Sequence, residues 1–357
     1  MSPSAVSWIP ATSMFTLFVM APFVGRVYDR FGPHHLLCIG SFLHVFGLMM
    51  ASLSSRFYQF ILSQGICSPI GASMILYPCF STVTTWFKKR RALAMGIVAS
   101  GSSLGGVLLP ILVERVMGRI GFAWTMRICA FVMLGLLIVV NLTVRSRLPP
   151  QPQPSSFGTY LRPFKEKAFL LTALASFFYS MGMFIPITFM VTYGEHMGME
   201  TGLAGYLVPI FNAASGIGRI LPGYVADRFG NFNIAACAAA LSTVIVFALW
   251  VPAHSAGTPI VFAGLFGFSS GTYTAIGPAL VAQISDIREI GVRSGSMYAL
   301  MSVAALTGSP IGGALLSAAQ GSYLKLEVFT GSMLAVGTFF YIMARLYLGE
   351  GRICAKI

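Results

Sequence analysis

Arg219 stands in the run Tyr206-Leu-Val-Pro-Ile-Phe-Asn-Ala-Ala-Ser-Gly-Ile-Gly-Arg-Ile-Leu-Pro222, a guanidinium inside an otherwise apolar stretch. A charge at membrane depth is costly unless it is paired or faces water, so the position itself points to function. The planar guanidinium fork matches a carboxylate in bidentate fashion, and the chemistry it suggests is the binding of an organic anion. Asn212 lies seven residues earlier and shares that helix face. The plainer reading is that Arg219 snorkels its head to the nearby aqueous boundary. His44 occupies a buried-looking position and can titrate, but a lone histidine makes a poor proton relay. Arg127, near the start of its apolar run, reads as a surface anchor.

Catalytic chemistry finds no footing. There is no phosphate-binding loop, no metal-ligand cluster, and no nucleophile with a base and an orienting group. Only ten residues are acidic. The six cysteines, at 38, 67, 79, 129, 237 and 354, show neither metal nor redox spacing. The expectation is a non-enzyme without cofactor or metal.

A second kind of motif occurs twice. Gly25-Arg-Val-Tyr-Asp29-Arg30-Phe-Gly32 returns 198 residues later as Gly223-Tyr-Val-Ala-Asp227-Arg228-Phe-Gly230. Both read as short charged turns between apolar runs. Glycine lets a neighbouring helix approach closely. An aspartate there can accept from a helix N-terminus or an arginine on a neighbouring helix. A contact of that kind, made in one conformation and broken in another, sets the balance between two states. The simpler alternative is a loop tether. A further pair, Arg91 with Gly106 and Arg293 with Gly308, repeats at an offset of 202, so the chain divides into two similar halves. Each of these pairs opens a small-residue run: Ala94, Gly96, Ala99, Gly101, Gly105 and Gly106 in the first, Gly295, Ala304, Gly308, Gly312 and Gly313 in the second, where Pro310 can bend the helix. Such runs serve sliding helices and static packing equally well.

These motifs need elements to hold them, and composition says which. The chain is 56% hydrophobic and 9% charged with a mean hydropathy of +0.80, against roughly 25% charge in soluble domains. Eleven apolar runs reach membrane-spanning length, near 7–25, 34–53, 57–86, 92–114, 121–144, 168–193, 202–223, 232–251, 258–284, 294–318 and 326–348. Only helices satisfy their backbone over runs of that length in lipid, so the fold class is an all-α membrane protein. Residues 145–167, basic and proline-rich, form an aqueous linker. It separates an N-terminal bundle of five spans (1–144) from a C-terminal bundle of six (168–357). Seventeen of the 23 Lys and Arg residues fall on one side, five on the other, and Arg219 within a span. The basic side is then cytoplasmic, with Met1 outside and Ile357 inside. The net charge of +13 is explained by these loops meeting anionic lipid, and nucleic acid is not an expected partner. Shifting the sixth span back by the repeat length places its counterpart upstream of Met1, so a further N-terminal span is expected.

Two helical halves, a basic central linker and the paired G-x-x-x-D-R-F-G turns resemble the major facilitator superfamily. Within it, the segment Trp86-Phe87-Lys88-Lys-Arg90-Arg91-Ala-Leu-Ala-Met-Gly96-Ile-Val-Ala-Ser-Gly101-Ser-Ser-Leu-Gly-Gly106 is similar to the signature of the monocarboxylate transporter family, closest to its fungal branch. The resemblance implies a two-bundle fold of twelve helices, of which eleven are seen here (5+6). It also implies alternating access and substrate-carboxylate contact by the arginine four residues before the turn glycine, which is Arg219. The family's better-known members carry an aspartate where Ser215 stands here, and the first-helix lysine has no counterpart, so proton coupling is open. Cavity-lining positions implied by the superfamily are Ser73, Tyr77, Tyr179, Thr188, Tyr273 and Thr274.

The expected function is secondary active or facilitative transport of a small organic anion, monocarboxylate-like, with or without protons. Its alternatives are a same-fold carrier of a neutral or larger metabolite, such as a vitamin or secondary product, and a non-transporting sensor or degenerate paralogue. The expected setting is a lipid bilayer, the plasma membrane or an organelle such as the vacuole, with the carrier monomeric.

Overall fold

The computed structural model describes residues 3–87, 89–147, 157–253, 255–286, 289–352 and 356. Lys88, and the proline run of the linker from Pro149 to Pro154, lie outside the described residues. The chain runs through helices α1 (Pro3–Val19), α2 (Ala21–Phe31) and α3 (Pro33–Leu53), then α4 (Phe57–Phe60). A π-helical segment, Ile61–Cys67, leads into α5 (Ser68–Trp86), followed by α6 (Arg91–Thr143) and the short α7 (Phe157–Leu161). The later helices are α8 (Lys167–His196), α9 (Thr201–Gly205), α10 (Leu207–Phe229) and α11 (Asn231–Ile245), the last extended by a π-helical segment, Val246–Trp250. The chain closes with α12 (Thr258–Gln283), α13 (Ile290–Ala318) and α14 (Leu324–Leu348).

Nine helical stretches among the described residues are long and apolar enough to cross a membrane. One of them, α6, has 53 residues and would be about 80 Å long if straight. Gly121, at φ 77°, breaks it into two helices, each of a length that fits the bilayer. α10 adds an eleventh helix of spanning length; Arg219, Asp227 and Arg228 make it the least apolar. Large apolar side chains face outward, Phe42 at 68% and Leu142 at 71% exposure, as lipid contact requires.

Both repeated motifs differ from the expected turns. α2 continues to Phe31 and α10 to Phe229, so Asp29, Arg30, Asp227 and Arg228 sit on the last helical turn. Nothing in either segment breaks the helix until the closing glycine. Gly32 (φ 77°) and Gly230 (φ 103°) then cap their helices, donating to the Tyr28 and Ala226 carbonyls at 2.8 Å, and the chain re-enters a helix at once. The backbone at Gly230, φ 103° and ψ 140°, is open essentially only to glycine, so Gly230→Ala is expected to cost about 1–3 kcal/mol. A thermal melt in detergent checks this; an unchanged midpoint would refute the strain.

Contacts divide the chain into two units that do not coincide with the sequence halves. Unit 1 comprises Met1–Lys88, Leu109–Pro163 and Ser285–Leu306; unit 2 comprises Lys89–Leu108, Phe164–Ile284 and Thr307–Ile357. Each unit thus takes a stretch of one helix from the other half, and both stretches belong to the small-residue runs. Glycine removes the Cβ that would otherwise hold two backbones apart, so contact follows the glycines rather than the chain order.

In unit 1, α3 packs on α5, with His44 Nδ1 bonded to the Ser68 hydroxyl at 2.9 Å. Arg127 donates to Ser52 Oγ at 3.3 Å and lies over the Trp124 ring, which makes it a helix tie as well as an anchor. In unit 2, α10 packs closely on α12 and α8 on α14. Its core holds a hydroxyl network: Tyr179 with Ser242 at 2.7 Å, Ser176 with Tyr341 at 2.8 Å and Ser180 with Tyr273 at 3.3 Å.

Candidate functional site

The site in unit 2 is built by the first part of α6 lying antiparallel along α10. A Cβ at Gly223 would meet the Ala92 carbonyl oxygen at 2.9 Å, one at Gly96 would overlap the Arg219 carbonyl, and one at Gly106 would overlap the Asn212 amide. These absent side chains bring the helix axes together at three successive levels. At the end of the seam the Asp227 carboxylate accepts from two amides, Ala92 N–H to Oδ1 and Leu93 N–H to Oδ2, each at 3.1 Å. Those amides belong to the first turn of α6, whose N–H groups have no partner within their own helix. The carboxylate satisfies them and meets the positive end of the helix dipole. Arg228 turns away and stacks its guanidinium 4.6 Å from the Tyr224 ring centre.

One helical stretch further along the seam, Arg219 is 9% exposed. Its Nη1 donates to the Ala99 carbonyl and the Ser102 hydroxyl of α6. Among the described residues no carboxylate comes within 4 Å, and its buried Nε has no partner. Nearby, Ser103 Oγ is also buried without one. The guanidinium therefore carries an uncompensated charge and a spare donor. Removing a charge from water without a counter-ion is expensive, so this arrangement favours an anion wherever one can reach it.

Unit 1 repeats the construction. The carbonyl of Gly291 would meet a Cβ at Gly25 at 2.5 Å, and Pro22 Cα would meet one at Gly295 at 2.6 Å. α2 thereby seats on the first turns of α13. The Asp29 oxygens lie 2.7 Å from where a Gly291 Cβ would stand, facing the start of α13 as Asp227 faces the start of α6. Arg30 lies over its neighbour Phe31.

The other sequence candidates separate. Ser215 is buried in the α10–α12 seam, 2.7 Å from where a Cβ at Gly271 would stand, and Asn212 donates to its own helix at Val208. Tyr179 and Tyr273 are fully enclosed, ring centres 4.1 Å apart, with their hydroxyls in the core network. In that position they bind the helices of unit 2 to one another. Tyr77 donates to the Leu17 carbonyl at 3.2 Å and packs against Tyr298, which in turn stacks on Phe18. Ser73, Thr188 and Thr274 each bond back to their own helices, Thr188 also to Ser309. Of the signature residues, Trp86 ties α5 to the Arg145 carbonyl at 2.9 Å, Phe87 and Arg90 are exposed, and Arg91 opens α6. Gly101 has nothing within 4 Å of a Cβ, unlike Gly96. Ser102 and Tyr298 went unnoticed in the sequence, where nothing but a place in the small-residue run marks Ser102.

Membrane-length helices, a twice-built aspartate-on-helix seam and a buried unpaired cation define a polytopic membrane carrier rather than an enzyme. The Major Facilitator Superfamily pattern matches residues 1–269 and 172–352, and the chain belongs to that superfamily. It is similar to an MFS-type transporter of Gibberella moniliformis (strain M3125 / FGSC 7600), 67% identical over the whole chain and 86% of the relative. It is also similar to the fujikurins efflux protein of Gibberella fujikuroi (strain CBS 195.34 / IMI 58289 / NRRL A-6831), 42% identical over 99% of the chain and 76% of the relative. The fold matches the crystal structure of the E. coli fucose:proton symporter FucP with a TM-score of 0.75, at 15% identity, over 96% of this chain and 91% of that one. The chain is thus a multi-pass membrane transporter of small molecules, with fungal relatives.

Proposed function

We propose that the chain exports a secondary metabolite bearing an acidic group, with Arg219 as the contact for that group. The observation that carries this reading is the buried guanidinium, answered among the described residues only by the Ala99 carbonyl and Ser102 hydroxyl, with no partner there for Nε. The efflux role that the fujikurins relative carries in its name supports export, and the acidic group of the cargo class is read from Arg219 alone. A monocarboxylate is the simplest member of that class. Asp227 and Asp29 act as latches on the starts of α6 and α13, made in the conformation described here and released in the alternate one. The basic ends of the helices face the cytoplasm.

The test is efflux from preloaded vesicles of a panel of acidic and neutral secondary metabolites, fujikurins among them. Arg219→Gln is expected to lower export of acidic cargo at least tenfold, the equivalent of one lost charged hydrogen bond of about 1.5–3 kcal/mol. Arg219→Lys, a point charge without the fork, should fall between. Equal export of acidic cargo by wild type and Arg219→Gln would discard the anion contact. It would favour a second reading, in which Arg219 only ties α10 to α6 through Ala99 and Ser102.

A further inference from the structure

The chain that leaves α14 folds back onto it. Gly349 N–H donates to the Arg345 carbonyl and Gly351 N–H to the Leu346 carbonyl, each at 3.0 Å, so the helix ends in a reversing turn. Glu350 (φ 49°) and Gly351 (φ 78°) supply the left-handed backbone of that turn. The reversal brings the Arg352 carbonyl to Nη1 of Arg345 at 2.7 Å, on a side chain only 8% exposed. Arg345 belongs to the last turn of α14, where its charge also meets the negative end of the helix dipole.

The same guanidinium reaches further into unit 2. Its Nε donates to Asn233 Oδ1 at 2.8 Å, in the first turn of α11. Asn233 Nδ2 in turn donates to the carbonyl of Phe229 at 2.7 Å. Phe229 closes α10, and its carbonyl is one of those that a helix end leaves without an amide of its own. A continuous run of side-chain hydrogen bonds therefore joins the exiting backbone at Arg352 to the end of α10, two residues beyond Asp227. The start of α11 is itself held, since Asn231 Nδ2 donates to Gln283 Oε1 at the end of α12, 2.9 Å away.

Unit 1 treats its own exiting chain alike. Beyond the end of α6, the Arg145 carbonyl accepts from Trp86 Nε1 at 2.9 Å and Arg147 N–H donates to the Thr85 hydroxyl at 3.4 Å. Tyr28, next to Asp29, meets Thr82 of the same helix end at 3.3 Å. In both units the contact is made to main chain.

We propose that residues 349–352 form a strap: seated on Arg345, they steady the last turn of α10 through Asn233, and lifting them loosens that turn. That the loosened turn also frees the start of α6 rests on reading Asp227 as a latch; the strap itself does not, and it is independent of Arg219 and the cargo.

The test is hydrogen exchange of the full chain in lipid nanodiscs. Arg345→Met keeps an apolar stem and removes every donor. Gly351→Val spoils the turn from outside the bundle, because a β-branched residue is a genuine outlier at φ 78°. Both should speed exchange of the Arg352 amide about tenfold or more, the equivalent of one hydrogen bond to a charged group. The Gly230 amide, which caps α10, should follow by about fivefold. Arg352→Ala keeps the carbonyl and should match wild type. A Gly230 amide unmoved in either variant that folds overturns the proposal, as does an Arg352→Ala that loosens α10 equally. If Gly230 responds while Ala92 and Leu93 do not, the strap stands and the latch reading of Asp227 falls.

Discussion

Gly96→Leu is expected to abolish the folded carrier, while Gly101→Leu leaves it intact. Both glycines belong to the same signature segment, five residues apart, and the sequence treats them alike. The structure does not. A Cβ at Gly96 would overlap the backbone carbonyl of Arg219, a group that cannot rotate aside, whereas Gly101 has nothing within 4 Å. Overpacking of this kind costs about 1–3 kcal/mol or more for a small addition, and the whole leucine side chain must be accommodated. The separation would also pull Arg219 from Ala99 and Ser102, and Ala92 and Leu93 from Asp227, since all lie on the same seam. Alanine gives a graded version. Gly96→Ala should lower the melting midpoint, and Gly101→Ala should hold or raise it through helix propensity worth about 0.5–1 kcal/mol. Size-exclusion profiles and melts of the four variants decide the matter. Equal behaviour at the two positions would mean that α6 and α10 are not in backbone contact.

Asp227→Asn is the second large expected effect, and under the proposed latch it acts on a conformational balance rather than on folding. The carboxylate satisfies two otherwise partnerless amides and meets the dipole of α6 with a full charge. Asparagine keeps one acceptor oxygen and loses the charge. The expected loss is about 1–2 kcal/mol, which corresponds to a factor of roughly 5–30 in the population of the latched conformation. Hydrogen exchange reads this directly: the Ala92 and Leu93 amides should exchange faster by about that factor, while α12 and α14 amides keep their protection. Unchanged exchange at Ala92 and Leu93 would show that the carboxylate does not hold the helix start, and the latch would fall with it.

A good part of this protein is legible without coordinates, because lipid imposes one-dimensional rules. Backbone that must be satisfied within its own segment makes every long apolar run a helix, so the eleven spans can be read along the chain. The duplicated motif and the expense of a charge at Arg219 are visible for the same reason. The fate of a polar side chain is not, because its partner is set by which helices touch. Tyr179 and Tyr273 look like ligands in a list of polar residues, yet Ser242 and Ser180 take up their hydroxyls inside unit 2. The glycine and aspartate of each repeat likewise announce a close contact without saying with what. Composition and periodicity determined the solvent, the helices and their duplication. Tertiary structure alone decided the partners, seating α6 on α10 and α13 on α2, because contact between distant segments depends on where side chains are missing as much as on where they are present.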